Sequence, residues 1–323
     1  MTENHPEAQD LPRPETDDGA PRRVGVEVEL GGLDERAVTH ILANGLGGTE
    51  RQTGDYEWTV EGSDLGTVEI LLDTKLRDHA SSKIAQMGLD LGRAVIPVEY
   101  VTEPVLPREL ARIEAVNESL VAAGALGTQD GFALGFGVHL NVALPAMSVP
   151  AILPTLRAFC LVEECLRDSM DIDPARRILP FVDPMPAALT DAICAPEADD
   201  WDMDALTDAY LEHAASRNHA LDLLPILKQH APDRVVAAVP QMDHKSARPA
   251  WHYRLPDCRI DDPAWSVTLE WNRWCAIERI GADADLLDRL CAAWRDHRSG
   301  VLHLPGGWRD RAAEILNDAG MHP

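Results

Sequence analysis

Basic charge is what this 323-residue chain has least of. Its 29 lysines and arginines stand against 54 aspartates and glutamates, a formal net charge of -25. So acidic a surface repels phosphate backbones and anionic lipid headgroups, which argues against nucleic acid and membrane surfaces as partners. A small anionic substrate is not excluded, because a metal ion or a few arginines reverse the sign locally. No run of eighteen apolar residues is present, so no transmembrane helix is expected. Residues 1–22, MTENHPEAQDLPRPETDDGAPR, lack the apolar stretch of a secretion signal and read as a disordered, acidic and proline-rich tail. The expected location is the cytoplasm. None of the six cysteines pair as CxxC, which points to free thiols, several of them buried, rather than a zinc centre. GLGG at 45–48 follows a helical pattern and lacks the Lys-Ser/Thr of a phosphate-binding loop, so it reads as a helix stop. No internal repeat and no Ser-His-Asp or Cys-His spacing is present.

What is there is an ordinary apolar fraction of 45%, enough for a sizeable core. Alternation predicts strands over 24–30, 56–61, 67–73, in VEYVTEPVL and in GFGVHLNVALP. Helical spacing marks LDERAVTHILANG, LPRELARIEAVNESLVAAG, PAILPTLRAFCLVEECLRDSMD, LPILKQHAP and two helices in the tail. A short helix is expected in LRDHASSKIAQMGLDLGRAV, and SVTLEWNRWCAIERI reads mostly as strand. Hairpin-like neighbours without a regular βαβ rhythm predict an α+β fold, a mainly antiparallel sheet with helices on one face. The expected division is the tail at 1–22, a catalytic domain over 23–280 with 195–245 as an insertion or lid, and C-terminal helices over 281–323.

One stretch raises a chemical question. In RRVGVEVELGGL, Val24, Val26, Val28 and Leu30 alternate with Gly25, Glu27 and Glu29. Both carboxylates then share a face, roughly 6.5–7 Å apart along the strand, and repel unless water or a cation lies between them. Other strands repeat the pattern: His139 and Asn141 in GVHLNVAL, Glu99 and Glu103 in VEYVTEP, Glu57 and Glu61 in YEWTVEG, Glu270 and Asn272 in SVTLEWN. An ordinary antiparallel sheet wet on one side would explain any single case. Such a face should also carry lysine, threonine and glutamine, and lysine is scarce in these strands. Read as one wall, the acids suit a hard cation such as Mg²⁺, which commonly arrives with substrate phosphates.

In that order, GVEVEL, VEYVTEPVL, FGVHLNV and VTLEW resemble the strands of the amidoligase family, carboxylate–amine ligases related to glutamine synthetase and glutamate–cysteine ligase. The resemblance spans about residues 22–280 on four short motifs. It implies a glutamine-synthetase-like catalytic domain with a curved antiparallel sheet around ATP and Mg²⁺, or Mn²⁺. It implies that ATP phosphorylates a substrate carboxylate and an amine, small or peptidic, then displaces phosphate. By match, Glu27 and Glu29 are metal or nucleotide-phosphate ligands, Glu99 and Glu270 complete the metal set, and His139 sits near the phosphates or the metal. Two departures stand out. Asn141 replaces a second histidine, and the late Glu-Phe-Arg strand becomes Glu270-Trp271-Asn272-Arg273, which moves Arg273 to the opposite face.

Cationic help for phosphoryl transfer is expected from DHKSARPAWHYR, that is Lys245, Arg248 and Arg254. Glu57 or Glu61 is a candidate base for the amine. Arg176-Arg177 suits a helix cap or a carboxylate clamp. Two other functions compete: a binding scaffold that keeps the fold without turnover, and a metal-dependent hydrolase, whose mark would be a richer His and Asp set.

Overall fold

The computed structural model describes residues 5–72, 97–128, 135–172, 182–300 and 307–322. The helix expected within 76–95 and the Arg176-Arg177 pair lie outside them. An open sheet of eight antiparallel strands forms the centre: β1 (Val24–Leu30), β2 (Thr49–Gln52), β3 (Glu57–Ser63), β4 (Gly66–Leu72), β5 (Val98–Thr102), β6 (Val138–Val142), β7 (Leu221–Asp222) and β8 (His252–Tyr253). Their spatial order is β2-β3-β4-β5-β1-β6-β8-β7. Ten helices accompany them among the described residues: α1 (Glu35–Leu46), α2 (Leu110–Ala122), α3 (Val149–Ser169), α4 (Ala187–Ile193), α5 (Met203–His213), α6 (Leu224–His230), α7 (Pro232–Ala238), α8 (Val267–Ala282), α9 (Ala284–Ser299) and α10 (Gly307–Asp318). This is the α+β class that the alternating strands predict.

The apolar residues of β1 are fully buried, together with Val98 and Tyr100 of β5 and Val138, Leu140 and Val142 of β6. Helices cover this face. Tyr100 reaches Asn117 of α2 with a 2.6 Å hydrogen bond. Tyr253 of β8 packs edge-on against Phe159 of α3 and tilts against Trp274 of α8. Helices α3 and α8 approach closely because position 281 is glycine: a Cβ there would stand 2.9 Å from the Pro154 carbonyl oxygen. No described helix is long and apolar enough to cross a membrane.

Two expectations are corrected. VTLEW is the first turn of α8, not a strand. Ser266 accepts from the Leu269 amide at 3.0 Å as N-cap, and Glu114 of α2 accepts from the amide and hydroxyl of Thr268, each at 2.7 Å. Buried Val267, Trp271, Trp274 and Glu278 recur at helical spacing. The alternation in its first five residues coincides with a helix start.

The tail expected to be disordered is instead docked from residue 5 onward. Leu11 is buried in the core, and the Gln9 carbonyl accepts from Trp271 Nε1 at 2.8 Å. Arg22 meets Glu278 of α8 through two buried hydrogen bonds of 2.8 and 2.6 Å.

Candidate active site

Pairing of β1 with both central neighbours assembles the opposite, polar face. Glu29 stands across from Glu99 of β5, while Glu27 stands between Val101 of β5 and His139 of β6. Directly opposed residues on antiparallel strands point the same way, so residues from distant parts of the chain meet. Glu27 Oε2 lies 2.9 Å from His139 Nδ1, and Glu27 Oε1 accepts from Asn141 Nδ2 at 2.6 Å. Asn141 Oδ1 accepts from Arg248 Nη2 at 2.6 Å and lies 2.8 Å from His252 Nδ1. An amide oxygen only accepts, so His252 carries its proton on Nδ1 and keeps a lone pair on Nε2. His139 likewise directs Nδ1–H at Glu27, which leaves its Nε2 toward Glu29 Oε1, 3.7 Å away. The other oxygen of Glu29 accepts from the Gly137 amide at 2.7 Å.

Charge follows this wiring. Burial would raise the Glu27 carboxyl, but the His139 hydrogen bond, the neighbouring His252 and His139 rings and the Asn141 amide hold it well below the usual carboxylate range. Burial, aided by Arg254, pushes His252 well below the usual imidazole range, so it is a neutral donor at physiological pH. Further along, Asp222 of β7 is completely buried and its carboxyl is raised by burial, with Arg254, Arg217 and Arg248 opposing the rise.

Beside this network lies a cavity of about 750 Å³, within the range of small-molecule sites. Glu27, Glu29, Glu99 and His139 line it together with Arg217, Lys245, Arg248 and Arg254. Part of the wall comes from residues 215–218, Pro225 and 239–246. The segment expected as an insertion or lid is thus a wall of the cavity. Two groups bring one donor atom per residue within 4.8 Å of each other: Glu29, Glu99 and His139, and Glu27, His139 and His252. The first, two carboxylates with one imidazole lone pair, fits a hard divalent cation. In it Glu27 orients the histidine from behind through Nδ1, a common support for a metal-bound imidazole.

The fold therefore gathers Glu27, Glu29, Glu99, His139, Asn141, Lys245, Arg248 and Arg254 of the expected residues around one space. It does not bring Glu270 or Glu61 there. Glu270 rides on α8, where it accepts from Trp265 Nε1 at 3.0 Å and Arg273 Nη1 at 2.6 Å beside a separate cavity of about 190 Å³. A helical residue on the covered side of the sheet cannot join ligands on the polar side. Glu61, beyond a register shift in β3, is half exposed and pairs with Arg51 at 3.0 Å. Glu57 is likewise absent from the cavity lining.

Strand β8, which pairs with β6 and β7, brings His252 to the site. His252, Asp222 and Arg217 were missed by the sequence reading. The two strands concerned are two residues long each, too short to show alternation, and Arg217 lies in a loop.

A family described as "Putative amidoligase enzyme" has a sequence model that matches residues 20–276. No curated protein matches the chain.

Proposed function

Because the chain belongs to the amidoligase family, we propose that it is an ATP- and Mg²⁺-dependent ligase that joins a carboxylate to an amine through an acyl phosphate. The observation that carries this reading is the donor group Glu29–Glu99–His139, within 4.8 Å, in a cavity that Arg217, Lys245, Arg248 and Arg254 also line. Glu29, Glu99 and His139 would hold the cation, whose bound charge would neutralise phosphate oxygens. Glu27 holds the His139 ring and Asn141. Arg248, 3.7 Å from Glu27, and Lys245 supply positive charge beside the carboxylate cluster, where the triphosphate would lie. Arg254, buried and tied to the 217–220 segment through Arg217 O and Ala220 O, sets the far wall of the cavity. The substrate carboxylate attacks the γ-phosphorus of ATP with departure of ADP; the amine then attacks the acyl carbon, loses a proton and displaces phosphate. Fixed charges placed in advance along the cavity favour such transfers because less solvent reorganisation is needed.

The test is thermal unfolding with and without MgATP. Saturating MgATP is expected to stabilise the wild type by about 2.7 kcal/mol at a hundredfold excess over Kd, and Glu29→Gln should lose most of that gain. The absence of any shift in the wild type would leave the scaffold reading, in which the fold is kept without turnover.

A further inference from the structure

We propose that Arg217 is the anchor for a second anionic group of the substrate, so that the molecule acted on carries a carboxylate at each end. This inference rests on the ligase reading above and deepens it. Arg217 lies in the loop between α5 and β7 and lines the cavity. Its side chain is about three-quarters buried, at 23% relative exposure. Among the described residues its guanidinium makes no hydrogen bond: Asp222 Oδ2 stands 3.6 Å from Nε, and both atoms are buried without a hydrogen-bond partner. A guanidinium offers five donors in a rigid fork that matches a carboxylate, so the rest of the fork is open to an anion in the cavity that Arg217 lines.

The local charge count points the same way. Asp222 is one carboxylate facing Arg217, Arg248 and Arg254. Arg248 is already engaged by Asn141 and lies near Glu27. Arg254 donates to the carbonyl of Arg217, which fixes the loop that presents this side chain. The end of the cavity at β7 is therefore electropositive, and Arg217 is the member of that group with its fork unspent.

Position decides between phosphate and carboxylate. The cation donors Glu29 and Glu99 sit on β1 and β5, and Asp222 on β7. The strand order places β6 and β8 between β1 and β7, so three strand spacings, roughly 14 Å, separate the two ends. Phosphates drawn to the cation and Arg248 stay at the β1 end. An elongated substrate with its reacting carboxylate there reaches Arg217 with the opposite terminus. A dicarboxylate or a short peptide with a free C-terminus has that form.

The test uses the full chain with Mg²⁺ and a non-hydrolysable ATP analogue, titrated calorimetrically with straight-chain dicarboxylates from glutarate to suberate and with monocarboxylates of equal chain length. The wild type is expected to bind at least one dicarboxylate tenfold or more tighter than its monocarboxylate partner. Arg217→Met should abolish that preference, Arg217→Lys should retain part of it, and both should hold the magnesium–nucleotide analogue within twofold of the wild type, which also reports that they are folded. Three results would overturn the proposal while leaving the ligase reading intact: no dicarboxylate preference in a wild type that binds nucleotide, a preference that survives in Arg217→Met, or a loss of nucleotide affinity in Arg217→Met that marks Arg217 as a phosphate ligand. A wild type that binds neither nucleotide nor carboxylate would remove the ligase reading itself.

Discussion

Two side chains show how much rests on single residues here. Arg22 is buried, with its guanidinium spent on Glu278, the Arg13 carbonyl and, through Nε, the Ala143 carbonyl. Glu278 is also held by Trp274 Nε1 at 2.9 Å. Removing the arginine leaves a buried carboxylate without its charge partner, a change that typically costs about 3–5 kcal/mol. Arg22→Met is expected to lose stability on that scale in urea unfolding. A loss under 1 kcal/mol would mean that the N-terminal segment does not dock as described. Asn141 is the second case. Its amide presents a donor to Glu27 and an acceptor to Arg248 and His252, so the residue that departs from the family pattern is the connector between the acidic and basic halves of the site. Asn141→Asp replaces the 2.6 Å donor contact with a like charge. It should destabilise the protein by about 1–3 kcal/mol, the cost of a buried polar group left unmatched, and a melting temperature equal to the wild type's would refute the network.

At the scale of elements, legibility followed the length of the pattern. The seven-residue β1 and the five-residue β6 alternate cleanly, pair directly, and were readable with their polar residues assigned to the right face. Long amphipathic helices such as α3 and α9 were readable too, because three or more turns establish the period. The failures are short or ambiguous. Five residues of β8-like alternation at 267–271 belong to a helix whose start is set by contacts from elsewhere in the chain, Glu114 above all. Strand β8, which carries His252, is two residues long, too short to show any period. The docked N-terminus was misread because composition reports solvation preference, whereas Gln9 and Arg22 are held by partners more than a hundred residues away. The α8 assignment carries its own test. Ser266→Ala removes an N-cap and should cost about 1 kcal/mol. In a strand the same loss of a hydroxyl would remove no cap, so a change below about 0.3 kcal/mol by chemical denaturation would favour the strand.

Taken whole, the molecule carries its net charge of -25 on a fold that also buries carboxylates. Burial raises Glu270 despite Arg273 and the Trp265 hydrogen bond, with Asp257 adding to the rise. It likewise raises Glu163 despite Arg167, and Glu114 despite its bonds to Thr268. A carboxyl whose folded pKa lies above its unfolded value of 4.5 holds its proton longer in the native state. Below 4.5 both states are protonated and no penalty exists. As pH climbs from 4.5 through the raised folded value, the unfolded chain ionises first and gains, so stability falls across that window and the loss is complete above it. Glu27 works in the opposite sense, but its lowered pKa places its effect below 4.5. Net self-repulsion also grows with pH. Two histidines oppose this: burial lowers His252 and His219, so the unfolded chain protonates first as pH falls through 6.5 and their contribution to stability grows with rising pH. Glu270→Gln isolates the carboxyl part. It keeps an acceptor for Trp265 Nε1 and Arg273 while removing the ionisation, so its melting temperature relative to the wild type's should rise between pH 4.5 and pH 8. A difference between the two proteins that does not grow with pH would assign the pH dependence to the other groups.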